Sequence, residues 1–158
     1  MKKVITLLFL ASTIHAAGVF SIGHKNFGFS VGQSSGYGNN YTVVGINANY
    51  FVSDNLSLGA GYTGWFGSDP KINEISIPVT YYVPVESAYK PYVGVIYRHT
   101  FIDKPYEDHD VYGGRVGVAL VTGENTFMSI GWVQEYYDNG RDGSDSRGYP
   151  EINAGFTF

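Results

Sequence analysis

The stretch that decides the fold is Gly148-Tyr-Pro-Glu-Ile-Asn-Ala-Gly-Phe-Thr-Phe158, the last part of the sequence. Its side chains alternate between apolar and polar from one residue to the next. That period belongs to a β-strand with one face in apolar surroundings and the other in polar ones. We expect the apolar positions to point to one side of the strand, and these positions are Ile152, Ala154, Phe156 and Phe158.

The beginning of the sequence has the organisation of a secretory signal peptide. Two lysines precede a short apolar run, and small residues follow it. This pattern predicts a signal peptide over residues 1–17, cleaved after Ala16 or Ala17, and one domain over residues 18–158. No apolar run approaches the roughly 20 residues that a membrane-spanning helix needs. A signal peptide alone would equally suit a soluble periplasmic or secreted protein.

The composition is unusual for a soluble domain. The chain has 21 Gly, 14 Tyr and 10 Phe, and 15% of its residues are charged. Because cysteine is absent, the fold must close without disulfides in an oxidising compartment. The formal net charge is −4, and loss of the two leader lysines leaves about −6 on residues 18–158. An acidic chain of this kind is not expected to bind nucleic acid.

Turn-forming residues divide the domain into eight candidate strands, most of which alternate apolar and polar residues. This pattern predicts an all-β fold, an eight-stranded antiparallel up-and-down transmembrane β-barrel with an apolar outside and a polar inside. The candidate strands cover residues 25–33, 41–52, 56–66, 72–83, 90–102, 111–121, 127–137 and 148–158. Compact connections are expected at 53–55, 84–89 and 122–126, and longer ones facing the cell exterior at 34–40, 103–110 and 138–147. Pro78 donates no ladder hydrogen bond, so we expect a local bulge or a water-satisfied neighbour there.

Several segments resemble the small outer-membrane β-barrel proteins of Gram-negative bacteria, the group that includes OmpX, Ail and the OmpA membrane domain. The segments that carry the likeness are Ala16-Ala17, Tyr50-Phe-Val-Ser-Asp-Asn-Leu-Ser-Leu58, Pro91-Tyr-Val-Gly-Val95 and the alternating end Ile152 to Phe158.

The resemblance implies a multi-pass β-barrel in the cell outer membrane and insertion by the barrel-assembly machinery. Ile152, Ala154, Phe156 and Phe158 would form the C-terminal assembly signal. The resemblance says little about activity, because adhesins, structural proteins, narrow channels and lipid-modifying enzymes share this scaffold.

Five ionisable side chains fall on predicted inner faces of five consecutive strands. Strand direction places all of them in the outer half of the barrel. Charges in a narrow interior must pair or stay hydrated, because an unpaired buried charge is strongly unfavourable. We expect an Arg–Glu network that plugs the lumen, with a gate as the alternative. The five residues are Glu74, Arg98, Arg115, Glu135 and Glu151.

The loops offer weaker patterns. The acidic segment 103–110 could bind a divalent cation or a basic partner, although a solvated loop explains it equally. Residues 138–143 superficially resemble a calcium loop, but Tyr149 occupies the place of the closing Glu. His99 is expected near the outer rim and facing lipid, and neither neighbouring strand offers a serine at its height. We therefore assign no catalytic residue, metal or cofactor.

Three functions remain open at this stage. A structural or surface-interaction barrel with exposed outer loops is favoured; a narrow porin-like channel for small solutes and a lipid A-modifying enzyme are the alternatives. A soluble ligand-binding barrel is a minor alternative for the fold. Expected partners are outer-membrane lipids, the assembly machinery and an extracellular ligand at the loops, and the barrel is expected to be a monomer.

Overall fold

The computed structural model describes residues 18–138 and 144–158, so the predicted signal peptide lies outside the described residues. Within them the chain forms eight strands, each antiparallel to the next, and β8 pairs with β1 to close the barrel. The predicted eight-stranded antiparallel up-and-down barrel is confirmed. The strands are β1 (Lys25–Gly36), β2 (Asn39–Ser53), β3 (Leu56–Phe66), β4 (Ile72–Tyr82), β5 (Tyr89–Ile102), β6 (His109–Val121), β7 (Thr126–Asp138) and β8 (Ser144–Thr157).

Alternation of side chains gives the barrel wall its two faces. Large apolar side chains lie at the outward positions and are exposed, as Ile46, Ile77 and Ile130 show. The inward positions carry small, polar and charged residues together with buried aromatic and aliphatic ones such as Phe51 and Ile96, because the interior of an eight-stranded barrel is just wide enough for side chains to fill it. In β5, Val95 is 61% exposed and Ile96 is 8% exposed, which confirms the inward orientation of an apolar residue there. None of the described residues belongs to a helix that could cross a membrane.

The barrel has a terminal end, where β1 begins and β8 ends, and a far end on the opposite side. At the far end, the expected loop over 34–40 is wrong. A two-residue turn at Tyr37 and Gly38 connects β1 to β2, and both residues have positive φ, 53° and 78°. That turn matches the twist of a hairpin, so the ladder continues through Ser35 and Asn40.

The eighth strand is also longer than predicted. Pairing with β7 extends from Phe156 back to Ser144, so residues 144–147 belong to the barrel wall and not to a loop. Ser144 and Ser146 are compatible with a strand because β7 supplies their ladder partners. The rest of the predicted loop, residues 139–143, lies outside the described residues.

Of the two outcomes expected at Pro78, the structure excludes the bulge. Pro78 pairs in register with Ile96 on β5. On the other side, pairing between β3 and β4 stops after Leu58↔Val79 and resumes at Gly61↔Ser76 without a register shift. The missing proline N–H therefore interrupts one ladder locally, and the backbone does not need to bend. The bulge in this region lies between Phe51 and Ser53, beside the turn from β2 to β3.

A short segment before β1 closes the terminal end. Val19 and Phe20 are 2% and 3% exposed. The Phe20 ring stacks on Tyr82 at a centroid distance of 4.1 Å, and Asn55 N donates a 2.7 Å hydrogen bond to Phe20 O. Phe20 is therefore anchored both by its ring and by its backbone. The aromatic cluster that surrounds it consists of Phe51, Tyr82, Tyr92 and Phe127.

The closing seam between β1 and β8 is paired over only part of its length. Residues 26–29 pair with residues 154–157, and reciprocal backbone hydrogen bonds join Lys25 and Phe158 below them. Beyond this stretch, residues 30–36 of β1 have no ladder partner on the described part of β8. Every other pair of neighbouring strands is paired along most of its length.

Candidate functional site

The five charged residues predicted to face inward lie in the barrel interior, and each contacts at least one other charged residue. Arg98 on β5 is central to the larger group. Its Nη1 lies 3.2 Å from Glu74 Oε2 on the neighbouring strand and 3.0 Å from Glu135 Oε1 on β7. Arg98 therefore bridges two strands that are not adjacent, across the interior.

Glu135 has polar contacts with three side chains, and its own side chain is fully buried. Besides the ion pair with Arg98, it accepts a 3.0 Å hydrogen bond from Arg147 Nη2 and a 2.9 Å hydrogen bond from the Tyr149 hydroxyl. Arg98 Nη2 in turn donates to that hydroxyl at 3.0 Å. We call Glu74, Arg98, Glu135, Arg147 and Tyr149 the Arg98 cluster.

A second group lies closer to the middle of the barrel. Arg115 donates from Nε and Nη2 to the same carboxylate oxygen of Glu151, at 3.0 and 2.7 Å. The Tyr92 hydroxyl donates to this oxygen as well, at 2.8 Å, and the Arg115 guanidinium lies 5.4 Å from the centre of the Tyr92 ring. We call Arg115, Glu151 and Tyr92 the Arg115 cluster.

Two glycines make the Arg115 cluster possible. Gly117 on β6 faces Gly131 on β7, and the Tyr92 ring crosses above both of them on its way from β5 to Glu151. A Cβ at Gly117 would lie 2.6 Å from the Tyr92 ring, and a Cβ at Gly131 would also collide with it. The glycines therefore provide the space that an aromatic side chain from a nearby strand fills.

Sequence reasoning did not single out Arg147, Tyr149 or Tyr92. Arg147 was assigned to a loop, although Arg147, Tyr149 and Glu151 alternate on the same face of β8. Continuing the period of the C-terminal strand backwards would have found them. Tyr92 has the inward parity of Gly94 and Arg98, but alternation alone does not show which partner its hydroxyl reaches.

The two clusters balance their charge within the barrel. Three arginines face three glutamates, and each carboxylate has at least one guanidinium within hydrogen-bonding distance. Removing two charges from water is costly, and geometry of this quality is needed to offset the cost. The arrangement can hold the wall strands together across the lumen.

Apolar layers and small cavities separate the clusters from the two ends of the barrel. Toward the far end, Trp65 packs edge-on against Tyr41, and the Arg147 guanidinium lies 5.4 Å from the centre of the Trp65 ring. Toward the terminal end, a cavity of about 90 Å³ has Asn47, Ser129 and other polar side chains in its lining. Below that cavity lies the aromatic cluster around Phe20.

The outer face carries a separate polar group. His99 Nδ1 lies 2.7 Å from Asp110 Oδ1, and the Tyr97 hydroxyl donates to the same oxygen at 2.9 Å. All three residues have outward parity, as was expected for His99. Among residues 18–138 and 144–158, no group of three or more His, Cys, Asp or Glu side chains is arranged to hold a metal ion. Most of the segment that resembles a calcium loop lies outside the described residues.

The alternating residues at the end of β8 face outward at the terminal end. Ile152, Phe156 and Phe158 are exposed, and Ala154 shares their face. The Phe156 ring lies 5.9 Å from Phe27 on β1 and 6.0 Å from Phe158. These side chains form an apolar patch beside the paired part of the seam.

No protein-family model matches the chain, and no curated protein matches it by sequence. Solved structures do match it. The N-terminal β-barrel domain of Pseudomonas aeruginosa OprF aligns with a TM-score of 0.65 and 17% identity, over 87% of this chain and 98% of that one. Neisserial surface protein A aligns with a TM-score of 0.58 and 20% identity, over 85% and 94%. The Yersinia pestis outer membrane protein Ail aligns with a TM-score of 0.53 and 12% identity, over 86% and 99%. The chain therefore has the eight-stranded barrel fold of these outer-membrane proteins.

Proposed function

We propose that this chain is an integral β-barrel protein of the outer membrane. In this proposal its interior is closed to solutes, and its role is structural or lies in surface interactions at the far end. The observation that carries the proposal is the chemistry of the outer wall. An exposed apolar surface that surrounds the whole molecule has no place in water, whereas a membrane barrel requires one.

The type of exposed side chain on the outer wall changes along the barrel axis. Outward aromatic residues lie near the terminal end, including Tyr50, Tyr81 and Phe158, and others lie near the far end, including Phe66 and Tyr112. Between them the exposed side chains are mainly aliphatic, such as those of Ile46, Ile77, Val95, Val116 and Ile130. Aromatic belts on both sides of an aliphatic band are the pattern that a bilayer and its two interfaces select.

The interior supports a closed lumen. The Arg98 and Arg115 clusters cross the barrel in its middle, and the Phe20 segment fills the terminal end. A solute would have to break buried ion pairs and then displace a stacked aromatic ring. Each of these steps is unfavourable on its own, so the two barriers in series favour a plug over a conducting path.

The far end supports a role in surface interactions. Tyr37 and Tyr106 come from two different connections, and their rings lie 4.4 Å apart while both remain exposed. Side-chain hydrogen bonds hold neighbouring connections together, because Asn39 Nδ2 donates to Asp69 O at 2.8 Å and Ser68 Oγ donates to Asn40 O at 2.8 Å. An exposed aromatic pair on an ordered rim is the kind of anchor that binding surfaces use.

Refolded residues 18–158 would test the proposal in two steps. Heat-modifiable migration on a gel and stable insertion into vesicles are expected for a membrane barrel, and failure of both would contradict the proposed location. Planar-bilayer recordings of the wild type and of an Arg115→Gln/Glu135→Gln variant would then test closure. We expect a silent wild-type barrel. Stable conductance steps that change in the variant would show instead that the charged residues form the gate of a narrow channel.

A further inference from the structure

A proline, Pro150, lies on the unpaired part of the seam between β1 and β8. Phe158 N donates to Lys25 O at 2.9 Å, so the even-numbered, outward residues of β8 direct their backbone groups toward β1. Pro150 belongs to this set and has no N–H to donate. If the register of Phe29↔Ala154 continued, Pro150 would face Gln33, whose carbonyl would lack its donor. Proline is tolerated in sheets at such edges.

A cavity of about 200 Å³ leads through this unpaired stretch. Its lining includes Val31 and Ile152, which are 72% and 59% exposed on the outer wall. The same cavity reaches Trp65, Glu74 and Arg98 in the interior. The cavity therefore connects the apolar outer surface of the barrel with the Arg98 cluster, at a height where the other walls are closed by paired strands.

Three residues in the lining of this cavity carry buried hydrogen-bond donors without partners. Trp65 is 7% exposed, and its Nε1 has no hydrogen-bond partner among the described residues; the same holds for the buried Nε atoms of Arg98 and Arg147. All three groups donate and none of them accepts. Buried donors of this kind are costly unless an acceptor reaches them.

We propose that the unpaired seam is a lateral portal for a single-chain amphiphile from the surrounding bilayer. Its head accepts hydrogen bonds, as a fatty-acid carboxyl does, and meets Trp65 and the two arginines. Its tail leaves between Val31 and Ile152 into the lipid. The balanced charge of the two clusters does not repel such a head, and its oxygens also supply acceptors for the N–H groups of the open strand edges, which are costly to leave unpaired in hydrocarbon. This inference rests on the proposed membrane location.

The chain is well suited to a test, because it has two tryptophans and no cysteine. In a Trp132→Phe background, Trp65 is the sole tryptophan and reports from the inner end of the portal. The added pair Val31→Cys/Ile152→Cys can close the seam by a disulfide, or by a short bis-thiosulfonate linker if the two strands stay too far apart. The matched control is Phe27→Cys/Phe156→Cys, because these residues are already paired at the closed part of the seam.

The measurement is quenching of Trp65 fluorescence by a fatty acid brominated close to its carboxyl group, with the barrel in phosphatidylcholine vesicles; a fatty acid brominated at mid-chain serves for a tryptophan on the outer wall. We expect strong quenching of Trp65 when the seam is open. Cross-linking Val31→Cys/Ile152→Cys should remove most of this quenching, and reduction of the cross-link should restore it. Cross-linking the control pair should leave quenching unchanged. Equal quenching of the cross-linked and reduced seam variant would overturn the portal, since the quencher would then act through the closed wall.

A second variant distinguishes an error in the portal proposal from an error in the proposed membrane location. In a Trp65→Phe variant the remaining Trp132 lies on the outer wall and is 49% exposed. Quenching of Trp132 together with an unquenched Trp65 would place the barrel in the bilayer and reject the portal. Absence of quenching at Trp132 would contradict the membrane location itself, and with it the portal.

Discussion

At the scale of single residues, Glu135 is the interior position where we expect a substitution to lower stability most. The buried carboxylate forms an ion pair with Arg98 and accepts hydrogen bonds from Arg147 and Tyr149. Glu135→Gln keeps the shape of the side chain but removes its charge, which leaves Arg147 without its carboxylate and Arg98 with Glu74 as its remaining carboxylate. Since removing one partner of a buried ion pair typically costs about 3–5 kcal/mol, we expect a loss of that order in the free energy of unfolding, measured with urea in vesicles.

The control for this change is Glu124→Gln. Glu124 lies in the exposed connection between β6 and β7, so neutralising it should leave the unfolding midpoint nearly unchanged. If the two variants unfolded at the same urea concentration, the ion pairs of the Arg98 cluster would contribute nothing measurable to stability.

A second residue-scale prediction concerns the glycines beneath Tyr92. A methyl group at Gly131 would collide with the Tyr92 ring and lie 2.7 Å from the Val116 carbonyl oxygen. We expect Gly131→Ala to lower stability by about 1–3 kcal/mol, as overpacked cores do. Gly32→Ala is the matched control, because Gly32 is an inward strand glycine whose Cβ would have no atom within 4 Å. A Gly131→Ala barrel as stable as the Gly32→Ala barrel would show that the Tyr92 ring is free to move aside.

At the scale of elements, the segment before β1 behaves as part of the barrel interior. Phe20 is 3% exposed and stacks on Tyr82, so Phe20→Ala removes a whole ring from a packed cluster. Such changes typically cost about 3–5 kcal/mol. The neighbouring Ile22 is 59% exposed, and Ile22→Ala should have little effect in the same urea titration. An unchanged midpoint for Phe20→Ala would mean that the segment is only loosely docked.

The end of β8 gives a prediction about assembly. We propose that Ile152, Ala154, Phe156 and Phe158 are the face that the barrel-assembly machinery recognises. Phe158→Ser should then reduce the heat-modifiable barrel recovered from the outer membrane of cells, while the purified variant still refolds in detergent. Tyr81→Ser removes another outward aromatic residue near the same end and serves as the control. Equal yields from cells for the two variants would contradict the assigned recognition role.

How far the sequence determines these elements depends on the range of the interactions involved. Alternation is a local property, and it was enough to predict the eight strands and to orient Glu74, Arg98 and Arg115 inward. The extent of β8 depends on pairing with β7, and the docking of Phe20 depends on side chains from distant strands. The open seam depends on which strand faces Pro150. Neither the docking of Phe20 nor the open seam leaves a periodic trace in the neighbouring residues, whereas the alternation of β8 continues back as far as Arg147.

At the scale of the whole molecule, the barrel combines an apolar outer wall with an interior divided into layers. The aromatic cluster around Phe20, the polar cavity and the charged clusters follow one another from the terminal end to the middle. Because neighbouring strands are linked both by ladders and by side chains that cross the interior, loss of one cluster should weaken the barrel as a unit. The Glu135→Gln and Gly131→Ala barrels are therefore expected to unfold in a single transition, at a lower urea concentration.

The docking of Phe20 also constrains the order of events during folding. Its binding pocket is formed by Phe51 on β2, Tyr82 on β4, Tyr92 on β5 and Phe127 on β7, and these side chains converge only after the sheet has curled round. The Phe20 ring therefore has nowhere to insert until most of the wall exists. Its insertion is a late kinetic event, and an environment-sensitive dye attached near residue 18 would change its emission after the strands have formed, with a measurable delay.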